Sequence, residues 1–279
     1  MSATGANLGH ETALSTIDVW GAEFAAAAAV GHDGTVHRHG DTDHVVGLAS
    51  ITKLCAAWAA LVAVEEGAFT LADPAGPPGA TVRHLLCHAS GLAFDADTVL
   101  AEPGTRRIYS NTGYDALADH IAATTGIPFE HYLQEAVLAP LAMTRSELRG
   151  SAAKDLHSTV EDLLRFSEEM VSPTLLADDT VRDALQPQLP TLAGVVPGWG
   201  THDPCPWGLG PELRGTKSPH WTGATASAST FGHFGGSGTM LWVDPDASVR
   251  CIALTGRPFA DWAVAAWPPF SDAVRAAYR

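Results

Sequence analysis

The stretch LASITKLCAAWAALVAVEEG, Leu48 to Gly67, constrains the fold more tightly than any other part of the chain. Ile51, Leu54, Cys55, Trp58, Leu61 and Val62 recur at helical spacing, and Ala56, Ala57, Ala60 and Val64 leave the opposite face equally dry. This predicts a central helix buried nearly all round, ending near Glu65-Glu66 with Gly67 as a left-handed cap. Lys53 is the one charged side chain before that end. Burial disfavours the ammonium and lowers the lysine pKa, and a neutral amine is a base. Ser50 falls one turn earlier on the same face, at the expected helix start, where free N–H groups and the positive dipole end favour negative charge on its oxygen. The pair reads as a nucleophile with its base. The same residues also read as an ordinary N-cap followed by a lysine that snorkels to the surface.

With 279 residues the chain can bury a substantial core, as one large domain or two closely packed lobes. No apolar run approaches the roughly 20 residues of a membrane span, and FAAAAAV at 24–30 reads as a buried strand. A net charge of −15 opposes binding to nucleic acid or anionic lipid, so the expected partner is a small molecule. The opening MSATGANLGHET has neither the basic start nor the apolar segment of a secretory signal, which predicts a cytoplasmic location. Cys55, Cys87, Cys205 and Cys251 are scattered without a C-x-x-C pair and suit buried free thiols.

Strands at 24–30 and 35–39 flank the turn GHDG and lead into the Ser50 helix. A Pro- and Gly-rich loop and a short helix over VRHLLCHAS follow. A capping-box pattern, Thr112 with Asp115, predicts a helix from Thr112 to Ala123 that Gly126 ends. Pro128 suits the first position of another that Pro140 stops, and a further helix is expected over Val160–Val171, capped by Ser158 or Thr159. Residues 173–230, with Trp199, Trp207 and Trp221, read as loops over a site. GTMLWVDP and SVRCIALTG then form a hairpin before a last helix. The layout predicts a single α/β (α+β) domain over 1–279. Its antiparallel sheet comes from both chain ends, about 10–50 and 205–279, with a helical lobe of about 51–204 inserted between them.

Two further stretches carry chemistry. Tyr109-Ser110-Asn111, in RRIYSNTGYDAL, sits in the loop before a capped helix and can be presented into a cleft, although a tyrosine there also suits packing. In TFGHFGGSGT, His233 precedes Gly235, Gly236 and Gly238, and glycines in a strand mark close approach of a ligand, a turn or a bulge. Taken in order, Ser50-Ile51-Thr52-Lys53, Tyr109-Ser110-Asn111 and His233-Phe234-Gly235 resemble the three motifs of the penicillin-recognising serine hydrolases. The nearest branch looks like that of class C β-lactamases, D-alanyl-D-alanine carboxypeptidases and β-lactamase-like esterases. The resemblance runs from about Phe24 to Pro258.

That resemblance implies a role for each matched position. Ser50 is the nucleophile, Lys53 assists removal of its proton, and Tyr109 shuttles a proton to the leaving group and later from water. Asn111 holds substrate and fixes Lys53; His233, Phe234 and Gly235 lie on the substrate wall. The N–H groups of Ser50 and Gly236 form the oxyanion hole. No metal or cofactor is needed, and the substrate is a small ester, amide or lactam.

Two departures stand out. Phe234 replaces the hydroxyl residue that helps the family bind a substrate carboxylate, which favours an esterase over a β-lactamase or carboxypeptidase. The spacing between motifs is compact, which predicts a shallower cleft. Two rival readings weigh less. His84 and His88 at i, i+4, with His37 and His39, suggest a metal hydrolase but lack the glutamate of H-E-x-x-H. A non-catalytic binding protein on the same fold would have lost Ser50, Lys53 or Tyr109, and all three are present.

Overall fold

The computed structural model describes residues 13–279, so the first residues of the expected sheet lobe, from about 10, lie outside the described region. The fold mixes helices with an antiparallel sheet, as the sequence pattern predicts. Two strands come from the beginning of the chain, β1 (Ala25–Val30) and β2 (Val36–His39). The short strands β3 (Val46–Gly47), β4 (Glu147–Leu148) and β5 (Leu156–Ser158) form a separate sheet in the order β3-β5-β4. A hairpin of β6 (Gly194–Val196) and β7 (Gly200–His202) follows. The edge strand β8 (Glu212–Leu213) then precedes β9 (Phe231–Gly235), β10 (Thr239–Asp244) and β11 (Val249–Thr255). The main sheet runs β2-β1-β11-β10-β9-β8, and the chain ends meet in it where Ala25 pairs with Thr255 and Val30 with Arg250.

The helices, in chain order, are α1 (Thr52–Glu65), α2 (Val82–Leu86), α3 (Asn111–Thr125), α4 (Phe129–Leu133), α5 (Val160–Glu169), α6 (Asp178–Ala184) and α7 (Asp261–Tyr278). The sheet separates two cores. Ala26 and Ala28 of β1 face the cluster built on α1, and Ala27 and Ala29 face the cluster built on α7. An alanine strand suits this sandwiched position, since short side chains let helices pack closely on both faces. Helix α1 is buried from Thr52 through Ala63, and Gly67 closes it with φ at +77°, as its all-round apolar sequence predicts.

Three local expectations change. The cap of α3 is Ser110, whose Oγ accepts from Gly113 N, whereas Asp115 accepts from Ser151 Oγ instead of closing a box with Thr112. The helix begun at Phe129 runs into a π-helical turn over Gln134–Leu138, and Pro128 is its N-cap at ψ 137°. The stretch 173–230 holds α6, a hairpin and the edge strand β8 within its loops. All four cysteines are buried and free. No helix among the described residues is long and apolar enough to cross a membrane.

Candidate active site

Ser50, expected from sequence to open the helix, lies in a 3-10 turn, Ala49–Ile51, that leads into α1 at Thr52. Ala49, just before it, has φ at +48°, a left-handed conformation rarely adopted by a residue with a Cβ, which turns the chain sharply at the serine. Strand β9 presses against this turn: a Cβ on Gly235 would lie 2.2 Å from Leu48 O. Only glycine fits there. The turn after β9 and the first residue of β10 fasten the same segment, with Ser237 Oγ donating to Gly47 O at 2.7 Å and Thr239 Oγ1 to Leu48 O at 2.8 Å. The carbonyls of Gly235 and Gly236 are engaged by Gly238 N and Phe259 N. The N–H groups of Ser50 and Gly236 make no hydrogen bond among the described residues, so two fixed donors are left for a ligand.

Lys53 is fully buried. Its Nζ lies 2.6 Å from Asn111 Oδ1, 2.9 Å from Ala153 O and 3.2 Å from Ser50 Oγ. Every one of these partners is neutral. Burial lowers the pKa of Lys53 to about 7, with the distant charges of Asp115, Lys154 and Asp95 modifying the shift. A neutral amine has two N–H donors, and Asn111 Oδ1 and Ala153 O use both. Its lone pair then points along the remaining direction, to Ser50 Oγ. Asn111 is held in this orientation because its Nδ2 donates to Asp95 Oδ1 at 3.3 Å.

Tyr109 is brought to the same place from the loop before α3. Its hydroxyl lies 3.4 Å from His233 Nε2, and the Lys53 ammonium position is 4.7 Å from its ring centre. Burial raises the phenol pKa, and a hydrogen bond with Ser50 offsets part of that rise, so Tyr109 keeps its proton at neutral pH. His233 Nδ1 lies 2.7 Å from Phe234 O; a carbonyl accepts only, so Nδ1 carries the proton and Nε2 is left to accept from Tyr109. Burial, reinforced by the Lys53 charge, lowers the His233 pKa to about 4.

Phe234 corrects the sequence expectation. Neighbouring residues of a strand face opposite sides, and since His233 faces Tyr109, Phe234 cannot. Its ring packs instead with Trp199, Trp221, Phe259 and Trp267 in the second core and is only 8% exposed. Asn111, expected to hold substrate, has both ends of its amide committed within the protein and is buried. The histidine pair that suggested a metal is split. His84 Nδ1 accepts from Thr81 N in the α2 cap, while His88 turns away with φ at +58°. Among the described residues no group of three or more His, Cys, Asp or Glu is placed to hold a metal ion.

Sequence reading missed two residues that shape the site. His88 O accepts from Ile108 N at 2.9 Å, His88 Nδ1 accepts from Ser110 N at 3.2 Å, and its ring lies 4.4 Å from that of Tyr109. Burial, with the charge of Lys53 next, pushes its pKa well below the usual histidine value, so it is a neutral clamp on residues 108–110. Arg107 is also buried and donates to Cys205 O at 2.6 Å, to Cys87 O and to Gln188 O at 2.8 Å, tying the Tyr109 loop to the segment that bears Trp207. A histidine two residues before the SGL turn and the RRIY run were the only sequence signals, and neither names its partner.

Comparison with known proteins places the fold. A β-lactamase structure from Mycobacterium bovis is 50% identical and matches with a TM-score of 0.93 over 95% of this chain and 99% of that one. A simvastatin synthase from Aspergillus terreus shares the fold at 19% identity, with a TM-score of 0.81 over 99% and 96% of the two chains. A D-alanyl-D-alanine-carboxypeptidase/endopeptidase from Escherichia coli K12 is 28% identical over 138 residues, and the match spans only 36% of the length of that relative. The sequence model of the Beta-lactamase family matches residues 21–270. With a match of that extent, the chain belongs to the β-lactamase family of serine hydrolases.

Proposed function

We propose that the protein is an acyl hydrolase that works through an acyl-Ser50 intermediate and acts on small neutral esters. The observation that carries the mechanism is the Lys53 amine, buried among neutral oxygens 3.2 Å from Ser50 Oγ. In its neutral form Lys53 takes the Ser50 proton as Oγ attacks the acyl carbon. The oxyanion is received by the N–H groups of Ser50 and Gly236. The new Lys53 ammonium is stabilised by Asn111 Oδ1, Ala153 O and the face of Tyr109. Tyr109 gives its proton to the leaving oxygen and is reprotonated from Lys53. Water then enters by the reverse route and releases the acid. His233, neutral, accepts from the phenol and orients it.

The ester preference rests on what the β9 wall lacks. The side chain at position 234 is turned into the second core, and the nearby Ser237 and Thr239 hydroxyls are spent on Gly47 O and Leu48 O. A substrate carboxylate there would lose its water without gaining a side-chain donor. The second reading, a β-lactamase or D-alanyl-D-alanine carboxypeptidase, is favoured by the 50% identity to the Mycobacterium bovis β-lactamase. Rates with p-nitrophenyl butyrate and with nitrocefin separate the two. The ester is expected to lead in kcat/KM by at least about tenfold, a difference of about 1.4 kcal/mol. A preference for nitrocefin would establish the second reading and leave the acyl-serine chemistry unchanged.

A further inference from the structure

Residues 91–101, GLAFDADTVLA, form a strap that folds back on itself. Leu92 bridges Val99, Ala93 N donates to Thr98 O at 2.8 Å, and Leu100 N donates to Gly91 O at 2.8 Å. The near limb is fastened to the Tyr109 loop. Ser110 Oγ donates to Ala93 O at 2.6 Å, Asn111 N to Phe94 O at 2.7 Å, and Asn111 Nδ2 to Asp95 Oδ1 at 3.3 Å. Three successive residues of the strap are thus tied to two successive residues beside the site. The side chain in the middle of these ties is Phe94. It is 55% exposed, and its ring is stacked on Tyr109 with centres 6.0 Å apart and planes at 26°.

A single exposed apolar residue needs no explanation, but a group of them in one place does. Of the six exposed large apolar side chains among the described residues, Phe94, Val99 and Leu100 belong to this strap. We propose that Phe94, with Val99 and Leu100, seats the acyl chain of the substrate, so that the preferred esters carry an extended apolar acyl group; this rests on the ester reading above. The choice of acyl chain over alcohol follows from Tyr109. Its hydroxyl is turned to His233 on β9, and the leaving oxygen has to meet that hydroxyl. Phe94 is stacked on the Tyr109 ring, whereas the hydroxyl is engaged by His233, so the part of the substrate assigned to the strap is the part that stays on Ser50. Charge agrees with this. Asp95 and Asp97 on the strap disfavour an anionic acyl group, and the Asp95 carboxylate is already engaged by Asn111 and Lys154.

The test is the ratio of kcat/KM for p-nitrophenyl hexanoate to that for p-nitrophenyl acetate, in the wild type and in Phe94→Ala. A methylene half-removed from water strengthens binding about twofold, so with four added methylenes the wild-type ratio is expected to be about fifteen. Phe94→Ala is expected to bring it within about twofold of one. A parallel series that lengthens the alcohol on a fixed acetyl group is expected to respond equally in both proteins. A flat acyl series in an active wild-type esterase overturns the acyl seat alone. So does a ratio untouched by Phe94→Ala, or one that follows the alcohol instead. An enzyme that hydrolyses none of the esters overturns the ester reading, and the seat with it.

Discussion

Lys53 and Lys217 are both buried, at 0% and 2% exposure, in opposite electrostatic settings. Lys217 donates to Glu212 Oε1, which also accepts from His220 Nε2 at 3.0 Å, while Glu212 Oε2 accepts from Trp221 Nε1 at 2.8 Å. Thr222 N donates to His220 Nδ1, so the ring proton is on Nε2 and faces the carboxylate. Burial alone would raise the Glu212 pKa, but the charge of Lys217 and the hydrogen bonds from His220 and Lys217 more than offset it and hold the carboxyl well below its usual range. That cluster ties the edge strand β8 to the loops behind Trp207 and Tyr109. Lys53 has an amide where Lys217 has a carboxylate. With only neutral oxygens around it, the cost of burying its charge goes uncompensated, and its proton becomes available near pH 7. A carboxylate partner makes a buried lysine a fastener, and the lack of one makes it a base.

Removing each lysine sharpens the contrast. Lys53→Met is expected to fold and to lose about two to four orders of magnitude in kcat/KM, the usual scale of general-base catalysis; near-full activity would make Lys53 structural only. Lys217→Met leaves a buried carboxylate without its cation and is expected to cost about 3–5 kcal/mol in urea-induced unfolding. A loss below about 1 kcal/mol would show that the Glu212 cluster is no fastener. Tyr109→Phe keeps the ring and deletes the hydroxyl, so kcat is expected to fall about a hundredfold with little change in melting temperature. His88→Phe keeps an aromatic ring beside Tyr109 and removes the acceptor for Ser110 N. About a tenfold loss in kcat is expected, with no further loss when Tyr109→Phe is already present. Additive losses in the double variant would contradict a role through Tyr109.

Much of this was legible in the sequence because it depends on local pattern. The all-round apolar run around Lys53 announced its burial, and three short motifs announced the residues that meet at Ser50. What escaped depended on partners far away in the chain. Glu212 lies in a stretch with no periodicity, and nothing in its neighbours says that it is buried with Lys217. His88 looked like half of an i, i+4 pair until its left-handed turn sent it beneath Tyr109. Phe234 was a misreading that strand alternation could have corrected, since adjacent residues of β9 cannot both face the nucleophile. The cap of α3 shifted from Thr112 to Ser110 because the motif serine itself starts the helix.

The most direct test of the central claim is the pH dependence of Ser50 acylation, read as the p-nitrophenol burst from p-nitrophenyl acetate. The active form of Lys53 is neutral, so the rate should rise with pH, reach half its maximum near the lowered Lys53 pKa of about 7, and then level off. His233, with its pKa lowered to about 4, is neutral across that range, and Tyr109, raised by burial, keeps its proton. Asn111→Asp gives Lys53 the carboxylate that Lys217 already has, and is expected to move the midpoint upward by at least about one pH unit. A burst rate that is flat from pH 5 to 9, or a midpoint unmoved by Asn111→Asp, would contradict the account of Lys53 as a base made by burial among neutral oxygens.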